Sequence, residues 1–337
     1  MSTRSVLLAL ALLASFASSA RADELASVTL APWSSYDGVD RPYRFIVEMR
    51  PRGAEPIEVV ADRRLLSFTV RPNEGRRRYP CRHPQAQRRV AGGRVRTLTP
   101  GAEGEDGVWR EWIDLRMYCT GRALAALGAG ASVEARYGWP RRARTRWIAR
   151  RPGSPWREWT GGVDLAPIAF PAQPAGATRP AHGEGEPPIE LALAPSSART
   201  GAGLILRPSV RAREGAERVY VRPDAFSFHV RGPLGDATCR IESGGGSPPP
   251  DLYRRITTRV AVRASLDAAY FCPEGTFLLA GVYEVTPEVR LSHSGEEWGL
   301  DAVTGRFVGP TVAIRITHGE RGYVEQVPEP AEAPRDE

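Results

Sequence analysis

The residues best equipped to bind a ligand are concentrated in one stretch of 21 residues, 139–159, which holds seven of the 46 arginines and four of the eight tryptophans. Arginine side chains bind carboxylate, sulfate and phosphate through two parallel N–H groups, and tryptophan rings stack on sugars or on arginine. This combination predicts recognition of an anionic polymer such as an acidic polysaccharide, lipopolysaccharide or nucleic acid. The candidate surface, called here the Arg/Trp segment, comprises Trp139, Arg141, Arg142, Arg144, Arg146, Trp147, Arg150, Arg151, Trp156, Arg157 and Trp159.

A second interpretation of the Arg/Trp segment is structural. The segment would form the hairpin between the last two strands of a β-domain, with its tryptophans packed on the domain and its arginines in solvent. The corresponding stretch in the second half of the chain, 292–303, has one tryptophan, Trp298, and no arginine. The basic character therefore belongs to the first half alone, where the arginine runs 76–78 and 88–89 are candidates to extend the same surface.

The net charge of +7 is unevenly distributed along the chain. Residues 23–170 hold 26 arginines against 17 acidic residues, a net charge of +9, whereas residues 171–337 hold 18 against 22, a net charge of −4. A basic half attracts anionic polymers, but it can equally dock on its own acidic neighbour. The sequence leaves both interpretations open.

No pattern of catalytic residues occurs in the sequence. The serine-hydrolase elbow, zinc-protease, phosphate-loop and dinucleotide-binding motifs are all missing. The histidines are far apart, at His83, His182, His229, His293 and His318. The acidic loop of Glu103, Glu105 and Asp106 lacks the spacing of a calcium loop, which favours a solvated turn. We therefore expect no catalytic residue, no metal and no cofactor, so the chain is predicted not to be an enzyme.

Two parts of the chain resemble each other, which is the strongest signal in the sequence. Five landmarks pair in order: Gly53 with Gly215, Phe68 with Phe228, Cys81 with Cys239, Cys119 with Cys272, and Thr160 with Thr304. The separation falls steadily from 162 residues at the glycines to 144 at the threonines. This drift is what loops of changing length produce in a duplicated domain, so the sequence predicts two related domains.

Each copy is predicted to be built from strands. Apolar and polar residues alternate over 43–50, 66–71, 133–137 and 283–291, and several such runs are broken by glycine and proline. A period of two with one polar face is typical of antiparallel sheets with one face in solvent, and many short strands indicate a β-sandwich. The expected fold class is all-β, with two tandem antiparallel β-sandwiches. One helical turn is expected at 122–128 and none elsewhere.

Four cysteines allow three pairings. The repeat favours Cys81–Cys119 and Cys239–Cys272, one disulfide in each domain. A metal site is the alternative, but the sequence has no CxxC motif, and His83, two residues after Cys81, corresponds to Ile241 in the second copy. A redox pair is a weaker alternative.

The N-terminal residues 1–22 have the pattern of a signal peptide: Arg4, an apolar run over 6–16, and small residues at 20 and 22. The alternative is an N-terminal membrane anchor, but the apolar run is too short to span a bilayer, and no later run is long enough. The sequence predicts an exported chain, periplasmic or extracellular and soluble after cleavage. The boundaries we expect are a basic domain over 23–170, a Pro/Gly/Ala-rich linker over 171–188, an acidic domain over 189–317, and a disordered tail over 318–337.

The ends of both copies resemble the last two strands of bacterial immunoglobulin-like domains. The segments that carry the resemblance are 281–285, 304–307 and 312–316 in the second copy, and 131–137, 159–163 and 167–170 in the first. The resemblance implies tandem immunoglobulin-like sandwiches, which commonly serve in binding or adhesion, and it transfers no site.

The leading functional hypothesis is a non-enzymatic binding or structural module of the periplasm or cell surface. Its expected partner is an anionic envelope polysaccharide or another envelope protein. The alternatives are a secreted proteinase inhibitor that uses loops at one end of an immunoglobulin-like domain, and a fragment of an enzyme whose catalytic domain is not recognised.

Overall fold

The computed structural model describes residues 25–32, 43–86, 94–128, 130–139, 148–153, 162–169, 187–241 and 246–318. The chain divides into two compact units, Met1–Ala172 (unit 1) and Gln173–Glu337 (unit 2). Strands dominate both units in these ranges, which confirms the all-β prediction. No helix within them is long and apolar enough to cross a lipid bilayer. The predicted signal peptide and most of the predicted linker and tail lie outside the described residues.

The described strands of unit 1 are β1 (Ala26–Pro32), β2 (Arg44–Pro51), β3 (Ile57–Val60), β4 (Leu66–Arg71), β5 (Tyr79–Arg82), β6 (Val95–Leu98), β7 (Trp109–Asp114), β8 (Ser132–Tyr137), β9 (Ala149–Arg150), β10 (Val163–Asp164) and β11 (Ile168–Ala169). They form three antiparallel sheets with the strand orders β1-β2-β7, β10-β8-β4-β5 and β6-β3-β9, and β11 also pairs with β8. Two short helices, α1 (Leu115–Tyr118) and α2 (Arg122–Ala125), follow β7.

The core of unit 1 lies between two of these sheets. Alternation along β2 buries Phe45, Val47 and Met49 and leaves the residues between them partly exposed. Trp109 of β7 packs against Tyr137 of β8, with ring centroids 5.7 Å apart, and both rings are buried. The sheet that contains β7 therefore faces the sheet that contains β8, which is the two-layer arrangement of a sandwich.

The described strands of unit 2 are β12 (Ile189–Leu193), β13 (Ser197–Ala198), β14 (Ile205–Leu206), β15 (Pro208–Ala212), β16 (Ala216–Val219), β17 (Phe226–Gly232), β18 (Gly235–Arg240), β19 (Arg254–Thr257), β20 (Val262–Arg263), β21 (Leu266–Asp267), β22 (Gly281–Leu291), β23 (Gly305–Val308) and β24 (Val312–Ile316). One sheet has the strand order β12-β15-β20. A six-stranded sheet has the order β13-β24-β22-β17-β18, with β23 also paired to β22, and two small sheets join β14 to β21 and β16 to β19. The described strand pairs are antiparallel except β13 with β24. A helix, α3 (Ala268–Phe271), follows β21.

One hydrophobic core fills unit 2. It takes Leu191 and Val210 from the sheet of β12 and β15, and Phe228, Tyr283 and Ile314 from the six-stranded sheet. The two sheets therefore bury their apolar faces against each other. On β12 and β17, the residues between the buried ones are partly or fully exposed to solvent.

The same pairing recurs in the two units. Phe68 of β4 lies opposite Cys81 on β5, and Phe228 of β17 lies opposite Cys239 on β18. Both phenylalanines are buried. The repeat-based alignment therefore matches positions that occupy the same register in each sheet.

Both predicted disulfides are confirmed, with sulfur–sulfur distances of 2.08 Å for Cys81–Cys119 and 2.05 Å for Cys239–Cys272. In each unit the second cysteine follows a four-residue helix, α1 or α3, and its N–H donates to the first carbonyl of that helix. The disulfide and the helix thus form one connected element in each unit.

Helices α1 and α3 correct the expectation that 122–128 holds the only helical turn. Each begins after an aspartate, Asp114 or Asp267, whose carboxylate accepts a hydrogen bond from the backbone N–H two residues later. This is the capping bond that starts a helix. A helix of four residues is too short to show a 3.6-residue period, so the alternation of the neighbouring strands hides it.

Candidate functional site

Three residues of the Arg/Trp segment lie within the described part of the chain. Trp139, just after β8, is only 7% exposed, so little of its ring can touch a ligand. Arg150 on β9 forms an ion pair with Glu58 on β3. Arg151 Nε lies 3.3 Å from a carboxylate oxygen of Glu55. The other members of the segment, which lie outside the described residues, are Arg141, Arg142, Arg144, Arg146, Trp147, Trp156, Arg157 and Trp159.

Many arginines of unit 1 have acidic partners within the fold. Glu48 on β2 accepts hydrogen bonds from Arg110 Nε at 2.6 Å and from Arg50 Nη2 at 3.1 Å. Partial burial raises the pKa of the Glu48 carboxyl, but the hydrogen bonds and charges of the two arginines outweigh it and leave the pKa below its ordinary value. Similar pairs join Arg71 to Glu134 and Arg136 to Asp164. Such arginines are already compensated and offer little to an external anion.

The hairpin between β4 and β5 is different. Arg76, Arg77 and Arg78 lie in its turn and Arg82 ends β5; we call these four residues the hairpin arginines. All four are exposed, and none forms an ion pair with any described residue. The guanidinium carbon of Arg77 lies 5.5 Å from the ring centroid of Tyr79, a cation–π contact that leaves its N–H groups available.

The hairpin arginines lie in the loop before an edge strand and at the end of that strand. β5 is the last strand of the sheet β10-β8-β4-β5, and Cys81 points into the core. Arg82, next to Cys81 on β5, is exposed, as are the three loop arginines. Several exposed guanidinium groups without an ion pair to a described residue, close together in sequence, fit an extended anionic chain better than a single small anion.

Unit 2 shares only part of this charge. By the register of Cys81 and Cys239, the position of Arg78 corresponds to Asp236 on β18. Asp236 pairs with Arg231 on β17, with Nε to Oδ1 at 3.1 Å. The fold therefore does not require an arginine at the position of Arg78. The position of Arg82 corresponds to Arg240, which is also exposed, so the difference between the two units lies in the arginines of the loop between β4 and β5.

A second polar surface lies on the outer face of the six-stranded sheet of unit 2. A shallow groove of about 340 Å³ is lined by side chains of β17, β18 and β22 and by Thr311. The hydroxyls of Thr286 and Thr311 lie 2.7 Å apart, and Nδ1 of His229 lies 3.4 Å from the hydroxyl of Thr238. No linear motif marks this groove, because the residues that line it come from separate strands. The signal present in the sequence is the alternation of polar and apolar residues along those strands.

A carboxylate beside this groove is held by two basic side chains. Glu288 accepts a hydrogen bond from Arg306 Nη2 at 2.7 Å, and His229 Nε2 lies 3.5 Å from the same oxygen. Burial raises the pKa of Glu288, but the hydrogen bond and charge of Arg306 and the smaller contribution of His229 leave it below its ordinary value. The carboxylate is thus held in its charged form.

The histidines were predicted to be satisfied or solvated. His83 is buried and its Nδ1 accepts a hydrogen bond from the Gln85 N–H at 3.1 Å. His229 is half exposed, with a side-chain exposure of 52%, and faces Thr238 and Glu288. The predicted acidic turn includes a 3₁₀ turn at Gly104–Asp106. Among the described residues, no three His, Cys, Asp or Glu side chains are grouped so that they could hold a metal ion.

No model of a protein family matches this chain, and no curated protein is significantly similar to it in sequence.

Proposed function

We propose that this chain is an exported, non-enzymatic binding or structural module of the periplasm or cell surface, and that its first domain contacts an anionic polymer such as an envelope polysaccharide. The observation that carries the proposal is the set of hairpin arginines. They are exposed, they lack acidic partners among the described residues, and they lie in the loop before the edge strand β5 and at its end. The position of Arg78 corresponds in unit 2 to Asp236, which is paired with Arg231.

The proposal includes an immunoglobulin-like architecture for both units. The two facing layers and the repeated register support it. The hydroxyl of Tyr283, near the start of β22, donates to the carbonyl of Leu279 at 2.7 Å. A tyrosine bonded to the backbone a few residues upstream resembles the tyrosine corner of immunoglobulin-like domains, which supports this architecture for unit 2. The disulfides differ from the antibody arrangement, since each joins a strand to the residue after a short helix.

Export is supported by two independent features. Residues 1–22 have the charge and hydropathy pattern of a signal peptide. All four cysteines are paired in disulfides, which persist mainly in oxidising compartments.

Retention on alginate resin tests the ligand assignment. We expect the mature chain to bind and to elute with salt, because exposed charges are screened as the Debye length falls from about 10 Å at ~0.1 M to about 3 Å at ~1 M. The variant R76S/R77S/R78S should elute at clearly lower salt. R142S/R144S/R146S tests the Arg/Trp segment in the same way.

The matched control is R207S/R263S/R290S, which removes the same charge from three separate exposed sites of unit 2. It should elute close to the parent chain. If this control loses as much retention as the hairpin variant, binding reflects net charge alone and the proposed surface is wrong. An unchanged melting temperature of each variant shows that the fold is intact.

A further inference from the structure

We propose a second binding site in the outer groove of unit 2, which takes a neutral saccharide chain. This inference goes beyond the anionic ligand proposed for unit 1 and does not depend on it.

The shape of the groove suits a small polar ligand. Its volume of about 340 Å³ falls at the lower end of the range typical of small-molecule sites. Its floor is β17, which is already paired with β18 on one side and β22 on the other. A peptide therefore cannot add to this floor as a new strand, so recognition must come from side chains.

The side chains in the groove match the hydroxyl groups of a sugar. Thr238, Thr286 and Thr311 each carry a hydroxyl that can both donate and accept a hydrogen bond. The imidazole of His229 lies between Thr238 and Thr286, because it is opposite both in the strand register. A saccharide hydroxyl needs this mixture of donors and acceptors.

The charges around the groove disfavour an anionic ligand. Arg231 pairs with Asp236 at 3.1 Å, and Arg306 pairs with Glu288 at 2.7 Å. The guanidinium groups of both arginines are therefore already paired with carboxylates and offer little to an anionic ligand, so a neutral saccharide is favoured over an acidic one.

Unit 1 shows that the fold does not impose this row of polar groups. In unit 2, Thr238, His229 and Thr286 lie side by side across three strands. The corresponding row in unit 1 is Pro80, Thr69 and Glu134. There Glu134 is engaged by Arg71. The hydrogen-bonding row is therefore a feature of unit 2 alone.

Frontal chromatography of the full mature chain on neutral polysaccharide resins tests the inference, with cross-linked dextran, amylose, mannan and galactomannan as the panel. We expect retention on at least one resin, and equal retention at low and high salt because no ion pair with the ligand is involved. The double variant T238V/T286V removes two hydroxyls and keeps the side-chain shape. It should weaken binding about tenfold, from the loss of two hydrogen bonds.

The control T258V changes an exposed threonine outside the groove and should bind like the parent chain. The hairpin variant R76S/R77S/R78S should also keep its neutral-resin retention, which separates this site from the anionic surface. Failure of the whole neutral panel to retain the chain overturns the inference. So does unchanged retention of T238V/T286V with an unchanged melting temperature.

Discussion

Replacing Tyr137 with phenylalanine removes one hydroxyl from the centre of unit 1. The ring is fully buried, and its hydroxyl donates to the carbonyl of Val60 and accepts the N–H of Asp62 at 3.0 Å. Phenylalanine keeps the packing but leaves both backbone groups without this partner. A buried polar group that loses its partner costs about 1–3 kcal/mol, so we expect Y137F to lower the free energy of unfolding by about 2–6 kcal/mol.

The matched comparison is Y283F in unit 2. The hydroxyl of Tyr283 makes one hydrogen bond, to the carbonyl of Leu279. Only one buried group is then left unpaired, so the expected loss is about 1–3 kcal/mol, half of that expected for Y137F. The difference between the two variants follows from the number of backbone groups that each hydroxyl serves.

Tryptophan fluorescence during urea unfolding measures the effect in unit 1, because seven of the eight tryptophans lie before residue 160. The loss expected for Y137F corresponds to a fall of roughly 6–18 °C in the melting temperature of a domain of this size. The reasoning is refuted if Y137F costs less than Y283F, or if Y137F leaves the fluorescence transition unchanged.

Three further predictions concern stability. Removing either disulfide by double alanine substitution should cost about 4 kcal/mol, nearly equal in the two units because the cysteines are 38 and 33 residues apart; unequal urea midpoint shifts would argue against this. The pKa of the Glu288 carboxyl is lower in the folded chain than in the unfolded chain. The stability that its contact with Arg306 adds should therefore be present above about pH 4.3 and be lost as the pH falls further. In E288Q, the free energy of unfolding should depend less on pH in this acidic range. Burial raises the pKa of Tyr283 to about 12, so its stabilising effect should disappear as the pH rises from about 10 through 12, and alkaline unfolding of Y283F should lack this step.

The parts of the fold that could be predicted from the sequence are those with a repeated or periodic signal. Phe68 and Phe228 could be aligned because each stands in an alternating strand, and the cysteines could be paired because their positions recur. Helices α1 and α3 were missed because their signal is a single capping aspartate, Asp114 or Asp267, which also suits a turn.

The candidate sites were harder to predict because they depend on which side chains already have partners. Arg150 and Arg78 look alike in the sequence, yet Arg150 is paired with Glu58 and Arg78 has no ion pair with a described residue. Trp139 looked like a ligand-binding ring and is buried. The groove at His229 needed the strand register, which no linear motif contains.

Titration of the full mature chain with soluble alginate, at about 0.1 M and about 1 M salt, tests the central claim most directly. The account predicts binding at the lower salt that weakens at least tenfold at the higher salt and is weakened in the same way by R76S/R77S/R78S. Absence of binding at the lower salt, or an affinity that depends neither on salt nor on the hairpin arginines, would contradict it.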